Sequence, residues 1–379
     1  MNEAATIVGV VGAGTMGAGI AQIALEAGHE VVLHDVDETA IERGRARVRD
    51  GLERRAAKLG LDPDSIDEWV DGRLSRLRDS PSVAAVADEA GLVIEAALED
   101  LALKQTIFRA LDSAASGDTI LATNTSALPV GAIAAATETP ERVIGLHFFN
   151  PAPVMPLVEL VTTPATDGAV AVAGQALVES WGKTAVRSAD TPGFIVNRVN
   201  RPFTIEALRI VESSEATIEA VDGAMVAAGY PMGPFALMDL IGVDVNLAVA
   251  VAIWEGLGRP DRLRPSHLQE ELVAAGRLGR KSGGGFHAGG RPPAAEPRPD
   301  AVIADRITYA ILNEAWHALG DGVASKADID IALRLGAGHP EGPFERTARL
   351  GGPAAVADRL RELAARFGPR FEPAVTLNS

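Results

Sequence analysis

The chain has 379 residues, enough at roughly 100–200 residues per domain for two or three domains with substantial cores. Hydrophobic residues make up 47% and charged residues 23%, which excludes disorder over most of the length, and the net charge of −16 makes nucleic acid an unexpected partner. There is no cysteine, no H-E-x-x-H-type histidine pairing and no apolar run near the length of a membrane span, so disulfides, a metal site and a transmembrane segment are not expected.

The first residues, Met1-Asn2-Glu3, carry no basic stretch ahead of an apolar one, so a cytoplasmic protein is the expectation. Residues 6–11 are a β-branched run that reads as a buried parallel strand. It ends in Gly12-Ala13-Gly14-Thr15-Met16-Gly17, and a helix is expected from there to residue 27, stopped by Gly28. Residues 31–33 form a second strand ending at His34-Asp35, which completes a β-α-β unit. Residues 38–59 read as a long charged helix and 64–77 as an antiparallel partner, together a hairpin over 38–77. Strand 92–95, helix 101–115, strand 119–122, strands 142–148 and 155–161, helix 167–180 and strand 184–187 follow. This alternation predicts an α/β, Rossmann-type, doubly wound N-terminal domain over residues 1–190.

From Asp190 onward the pattern is helical, with Thr191-Pro192 read as a helix start and Asn200-Arg201-Pro202 as a kink. A Gly-, Pro- and Ala-rich loop begins at Gly283, and 288–300 reads as a linker between two helical blocks. The blocks repeat each other. Residues 195–199, Ile-Val-Asn-Arg-Val, match 303–307, Ile-Ala-Asp-Arg-Ile; Glu206-Ala207 match Glu314-Ala315; Asp222 matches Asp330; Gly233-Pro234-Phe235 match Gly342-Pro343-Phe344. The expected architecture is therefore the Rossmann-type domain followed by two tandem all-α C-terminal domains, 191–287 and 301–372, the second a degenerate copy.

The glycine motif follows a buried strand, opens a helix and is paired with an acid, which is the context of a dinucleotide site. Gly12 permits the tight turn, Gly14 lets the backbone approach a pyrophosphate, and Gly17 allows close helix–strand packing. The helix start at Thr15 and Met16 offers free N–H groups to phosphate. Asp35 is placed to accept hydrogen bonds from an adenosine ribose and to repel a 2′-phosphate, which favours NAD over NADP; Asp37 stays open as the reader, and a surface turn is the plainer role for Asp35. Thr123-Asn124-Thr125-Ser126 follows an apolar strand and suits either a ligand crevice or a helix-capping turn. His147 on one strand and Glu159 on the next suit a general base with its orienting carboxylate, and equally a half-buried structural histidine. Asn197 suits a ligand contact or a local hydrogen bond at a helix start.

Taken together, residues 12–17, Asn124-Thr125-Ser126, His147-Phe148-Phe149-Asn150-Pro151, residues 154–159 and residues 191–198 resemble the L-3-hydroxyacyl-CoA dehydrogenases, and the spacings between them fit. The resemblance covers residues 6–287, and the repeat resembles the second helical copy of bacterial multi-domain dehydrogenases. It implies oxidation of (3S)-3-hydroxyacyl-CoA by NAD, with His147 as general base and Glu159 orienting it. It implies that Ser126 and Asn197 hydrogen-bond the reacting oxygen or the thioester region, that Glu99 and Lys104 contact the ribose side of the cofactor, and that Asn150 lies at the nicotinamide end. A solvated helix position is the plainer role for Lys104.

Three departures stand out: Ala127 where the family often has a second serine, His287 where a tyrosine is usual, and Asp305 in the repeat where the first copy has Asn197. Two rivals remain, a dehydrogenase of a non-CoA hydroxy acid (gulonate or carnitine type) and a silent NAD-binding structural or sensor protein.

Residues 43–58 carry seven basic residues against two acidic ones. In the resembled family a helical hairpin here covers the substrate, so Arg54, Arg55 and Lys58 are candidates for the CoA phosphates; a solvated face is the plainer reading. In short relatives the helical domain dimerises through its apolar face. Tandem copies predict an internal pseudo-dimer that buries Ile307, Ile311 and Leu312, with a monomer or a higher oligomer as the whole assembly.

Overall fold

β1 (Val8–Val11) is buried at all four residues, and it is the strand on which the sheet reverses its order. The computed structural model describes residues 6–289 and 296–377, so residues 290–295 of the expected linker lie outside the described residues. The chain divides into two compact units, Met1–Asp190 and Thr191–Ser379. Residues 191–287 and 301–372, read as two domains from the sequence, lie in one unit.

In the first unit α1 (Thr15–Glu26) links β1 to β2 (Val31–His34), and α2 (Glu38–Lys58) and α3 (Pro63–Leu74) form the hairpin. The second hairpin helix was expected to run to Leu77. It stops at Leu74, and β3 (Leu77–Asp79) pairs in parallel with β2 instead. A short helix, α4 (Val83–Glu89), then leads to β4 (Leu92–Glu95), with Ser82 as its cap. α5 (Leu101–Ala114), β5 (Ile120–Thr123), α6 (Val130–Ala134), β6 (Val143–Phe148), β7 (Leu157–Thr162), α7 (Gly168–Ser180) and β8 (Thr184–Ala189) complete the unit.

The sheet has eight strands in the order β3-β2-β1-β4-β5-β6-β7-β8, and only the β6–β7 pair is antiparallel. Strands β1 to β6 therefore end at one common edge. Helices cover the sheet, and Val8, Val10, Leu33, Ile94, Ile20 and Leu25 are fully buried between the layers. The switch point between β1 and β4, where a doubly wound sheet binds its ligand, falls at the glycine motif.

The second unit holds α8 (Val196–Val199), α9 (Arg201–Glu212), α10 (Ile218–Ala227), α11 (Pro234–Ile241), α12 (Val243–Gly256) and α13 (His267–Ala274). The second copy adds α14 (Ala301–Gly320), α15 (Lys326–Ala337), α16 (Pro343–Arg349) and α17 (Pro353–Phe367). Thr191 does not cap a helix as expected: the Phe194 amide donates to its carbonyl in a turn, and helix begins only at Val196. The expected kink is a break at Asn200, ahead of Pro202, whereas the same stretch of the second copy is one straight helix, α14.

The repeat is physical as well as textual. Asp222 accepts from the Phe235 and Ala236 amides at the start of α11, and Asp330 accepts from the Phe344 and Glu345 amides at the start of α16. A side chain at Gly233 or Gly342 would collide with the capping aspartate, at 2.3 Å in both copies. Between copies the pairing is reciprocal: Arg198 reaches Glu314 at 2.9 Å, and Arg306 reaches Glu206 at 2.5 Å, the two arginines and likewise the two glutamates being 108 positions apart. Such self-complementary exchange marks a two-fold-like contact. Ile307, Ile311 and Leu312 are buried. No single helix among the described residues is long and apolar enough to cross a membrane; the bent pair α11–α12 passes that test only by length and composition.

Candidate active site

The glycine loop is built against the neighbouring strand. Gly12 has φ +103°, and a Cβ there would lie 2.6 Å from the Ala96 carbonyl oxygen beyond β4. At Gly17 it would lie 1.7 Å from the Gly12 carbonyl oxygen, so the helix packs on the loop with no room for a side chain. At Gly14, by contrast, a Cβ would meet nothing within 4 Å. The loop is thus closed at both ends and open in the middle, where α1 starts with exposed Thr15, half-buried Met16 and no acid in its first turn. Its first amides face open space with the positive end of the helix behind them, a fit for a pyrophosphate. Asp35, at the end of β2, accepts from the Ala13 amide at 2.7 Å and from the Val36 amide at 2.7 Å. Asp37 caps α2 by accepting from Ala40, so of the two acids Asp35 is the one tied to the loop.

Next along the edge lies a cluster of which the sequence reading missed Glu95. Glu95, the last residue of β4, is fully buried. It accepts from Lys104 Nζ at 2.7 and 2.9 Å, from Thr123 Oγ1 at 2.7 Å and from the Ala97 amide at 2.7 Å. Lys104 is 1% exposed, so it is not a solvated helix residue, and its ammonium lies 2.7 Å from Glu95 and 3.4 Å from Glu99. Glu99 Oε1 in turn accepts from the Thr125 hydroxyl (2.7 Å) and from the Ser126 and Ala127 amides (2.9 and 3.1 Å). Burial works to raise the Glu99 carboxyl, but the Thr125 bond, the Lys104 charge and those amides hold it below the usual carboxylate range. The 124–127 loop is therefore shaped by an ionised acid, and Asn124 Oδ1 ties it to the Phe148 amide (2.9 Å).

His147 and Glu159 are direct cross-strand partners in the antiparallel β6–β7 pair. His147 Nδ1 lies 2.6 Å from Glu159 Oε2, with the histidine 6% exposed and the glutamate fully buried. The Phe149 ring lies 4.5 Å from the imidazole, centroid to centroid. The loop after β6 carries Asn150 and turns back on α1, where a Cβ on Gly19 would be 3.1 Å from Pro153. The first unit thus gathers Gly12, Gly14, Asp35, Glu99, Ser126, His147, Glu159 and Asn150 along one end of its sheet. Asn197 belongs to the second unit, in α8.

Among the basic residues of α2, Arg45 pairs with Asp79, Arg49 with Asp71 and Arg55 with Glu26. Arg47 leans on the Ala13 carbonyl (3.5 Å), and Gly44 sits where a Cβ would be 2.5 Å from that of Ala13, so α2 runs over the glycine loop. Arg54 and Lys58 are exposed on the same helix.

A family model described as the NAD binding domain of 3-hydroxyacyl-CoA dehydrogenase matches residues 7–191. The model of that family's C-terminal domain matches twice, at 193–289 and 302–378. The chain belongs to the 3-hydroxyacyl-CoA dehydrogenase family. An Escherichia coli protein named 3-hydroxyadipyl-CoA dehydrogenase is 37% identical, over 91% of this chain and 90% of its own. A Mycobacterium tuberculosis 3-hydroxybutyryl-CoA dehydrogenase is 43% identical over 76% of this chain and 99% of its own. The crystal structure of an Escherichia coli 3-hydroxybutyryl-CoA dehydrogenase matches with a TM-score of 0.90 at 35% identity, covering 99% of this chain and 98% of that one.

As a member of this dehydrogenase family, the protein is an oxidoreductase that acts on the CH–OH of 3-hydroxyacyl-CoA with NAD. Two departures from the family pattern are now explained. Ala127 contributes only its amide, to Glu99, so a second hydroxyl is not needed for the loop's shape. His287 replaces the usual tyrosine and stands between two buried acids, 3.3 Å from Asp222 Oδ2 and 3.1 Å from Asp239 Oδ2. Hydrogen bonds to Asp222 and then Asp239 raise its pKa to about 9.

Proposed function

We propose that the enzyme oxidises (3S)-3-hydroxyacyl-CoA to 3-oxoacyl-CoA, or runs the reverse reduction, with His147 as the base. The buried His147–Glu159 pair at the ligand end of the sheet carries this reading. Glu159 bonds Nδ1, which fixes the tautomer so that Nε2 is the nitrogen that takes the 3-hydroxyl proton; the carboxylate then stabilises the imidazolium. Gly12, Gly14, Thr15, Met16, Gly17 and Asp35 would hold NAD, which when bound would supply the acceptor for the hydride from C3. Ser126 and Asn197 hydrogen-bond the reacting oxygen or the thioester region, and Asn150 lines the nicotinamide end. Glu99 faces the cofactor ribose, with Lys104 setting its charge from beneath.

Arg54 and Lys58 meet the CoA phosphates, assisted by Arg55 once it leaves Glu26. The internal pairing of the helical copies stands in for the usual dimer contact, in a cytoplasmic protein. The test is a spectrophotometric screen of acetoacetyl-CoA, longer 3-oxoacyl-CoAs and 3-oxoadipyl-CoA with NADH and NADPH. Turnover of one or more with a strong NADH preference is expected, and NADH oxidation with none of them would overturn the acyl-CoA reading.

A further inference from the structure

Asn197 sits in a stretch with little regular helix of its own. α8 is a single four-residue turn, too short to be stable alone. Its entry turns through Gly193, at φ +80°, into a strained residue: Phe194, bulky and buried, has φ +48°. A left-handed conformation at such a residue persists only where its surroundings over-determine it. Its exit is the break at Asn200.

The second copy fastens this turn at two residues just after Asn197, Arg198 and Asn200. Arg198, 1% exposed, donates to Glu314 Oε1 at 2.9 Å and to Asp321 Oδ2 at 2.5 Å, both on or just past α14. Asn200 Oδ1 accepts from His339 Nε2 at 2.8 Å, in the loop after α15. His339 is wedged there by Tyr230, whose ring centroid is 5.0 Å away, and by Phe203 at 6.5 Å. Burial pushes its pKa down to about 3, so the imidazole stays neutral and the proton it carries is the one donated to Asn200. The matching stretch of the second copy is paired in the same way through Arg306 but has no break. It lies inside α14, a 20-residue helix capped by Asp300, and it bears Asp305 where the first copy bears Asn197.

We propose that the second helical copy is a positioning device for Asn197: Glu314, Asp321 and His339 hold Arg198 and Asn200, and so set the orientation of the Asn197 amide. The degenerate copy thus serves the reaction without touching substrate. Glu314, Asp321 and His339 are positioning residues, and their loss acts on turnover because a displacement near 1 Å at a reacting group costs about 10²-fold. The inference rests on the proposed contact of Asn197 with the reacting oxygen or thioester region.

The test uses the full chain and compares Asn197→Ala, Asp321→Asn, His339→Leu, His339→Gln and Glu215→Gln. Glu215 pairs at 2.8 Å with Arg306, the counterpart of Arg198, and so provides a matched control at the other half of the contact. Asp321→Asn and His339→Leu should each lower kcat by about 10- to 100-fold while the Kd for NAD stays within about twofold. His339→Gln, which can still donate near the same oxygen, should recover most of the loss. Glu215→Gln should cost stability comparable to that lost in Asp321→Asn and leave kcat unchanged. If His339→Leu fails to fold, Asp321→Asn, altered at a half-exposed carboxylate, carries the comparison. Stability loss with full kcat in Asp321→Asn, or an equal kcat loss in Glu215→Gln, overturns the proposal. Full kcat in Asn197→Ala removes the role of Asn197 itself, and the positioning role falls with it.

Discussion

His147 shows how little of a residue's role lies in its identity and how much in its register. A histidine and a glutamate 12 positions apart meet only because β6 and β7 pair antiparallel with those two directly opposite. His147→Ala should lower kcat by about 10²–10⁴-fold with the NAD Kd nearly unchanged, and Glu159→Gln should lower kcat and shift the pH–rate profile. Near-normal turnover in His147→Ala, in a stopped-flow or steady-state assay, would remove the mechanism. Asp35 has two tasks, since it already accepts from the Ala13 amide of the loop. Asp35→Asn keeps an acceptor for that amide and removes the charge, so it should raise the NADP-to-NAD ratio of kcat/KM more than it weakens NAD itself. A ratio unchanged in Asp35→Asn would assign ribose selection to another residue. The glycine loop and the meeting of His147 with Glu159 could be anticipated from motif and spacing. Glu95 could not, because an acid ending an apolar strand looks like the strand's edge, and only the register of β1, β4 and β5 reveals that Lys104 and Thr123 converge on it.

At the scale of elements, α2 looked like one basic surface and proved to be two. Arg45, Arg49 and Arg55 neutralise Asp79, Asp71 and Glu26 inside the first unit, which separates them from Arg54 and Lys58. The double variant Arg54→Glu, Lys58→Glu should raise the acyl-CoA KM several-fold, more so at low salt, with the NAD KM unchanged. An unchanged acyl-CoA KM would return these residues to a solvated face. β3 was missed for a similar reason: of Leu77-Arg78-Asp79 only Leu77 is buried, and the strand exists because β2 offers it an edge. The end of α11 carries the clearest pH signature. His287 has a raised pKa, about 9 against the usual 6.5, so its stabilisation is complete below pH 6.5 and is lost as pH rises through 9. Urea midpoints of the wild type should therefore fall between about pH 6.5 and 9 relative to His287→Gln, whose profile should be flatter there. Parallel profiles would show that the histidine is not held charged between Asp222 and Asp239.

Over the whole molecule, duplication changes what the helical unit has to find outside itself. A single helical copy would leave Arg198 and Glu206 without Glu314 and Arg306, and would uncover the α9 face on which α14 packs. Those are buried charges as well as apolar side chains, and stripping one partner from a buried ion pair costs more than the pair contributes, roughly 3–5 kcal/mol. A copy attached to the same chain meets its mate at a high effective concentration, which favours internal pairing over pairing with a second molecule. The tandem pattern was legible from identities 108 positions apart, and the asymmetry was not. α8 and α9 break at Asn200 while α14 runs straight, because Pro202 has no counterpart in the repeat, where Ala310 stands. Truncation after Asp300 tests the arrangement. The shortened chain has an exposed apolar face and an unpaired buried arginine, and it should either aggregate or pair with itself through that face. In sedimentation velocity the full chain should then show no assembly through this surface, and the truncated chain should show a dimer or loss of material. A truncated chain that stays a soluble monomer with an unchanged unfolding midpoint would mean that the second copy does not cover the first.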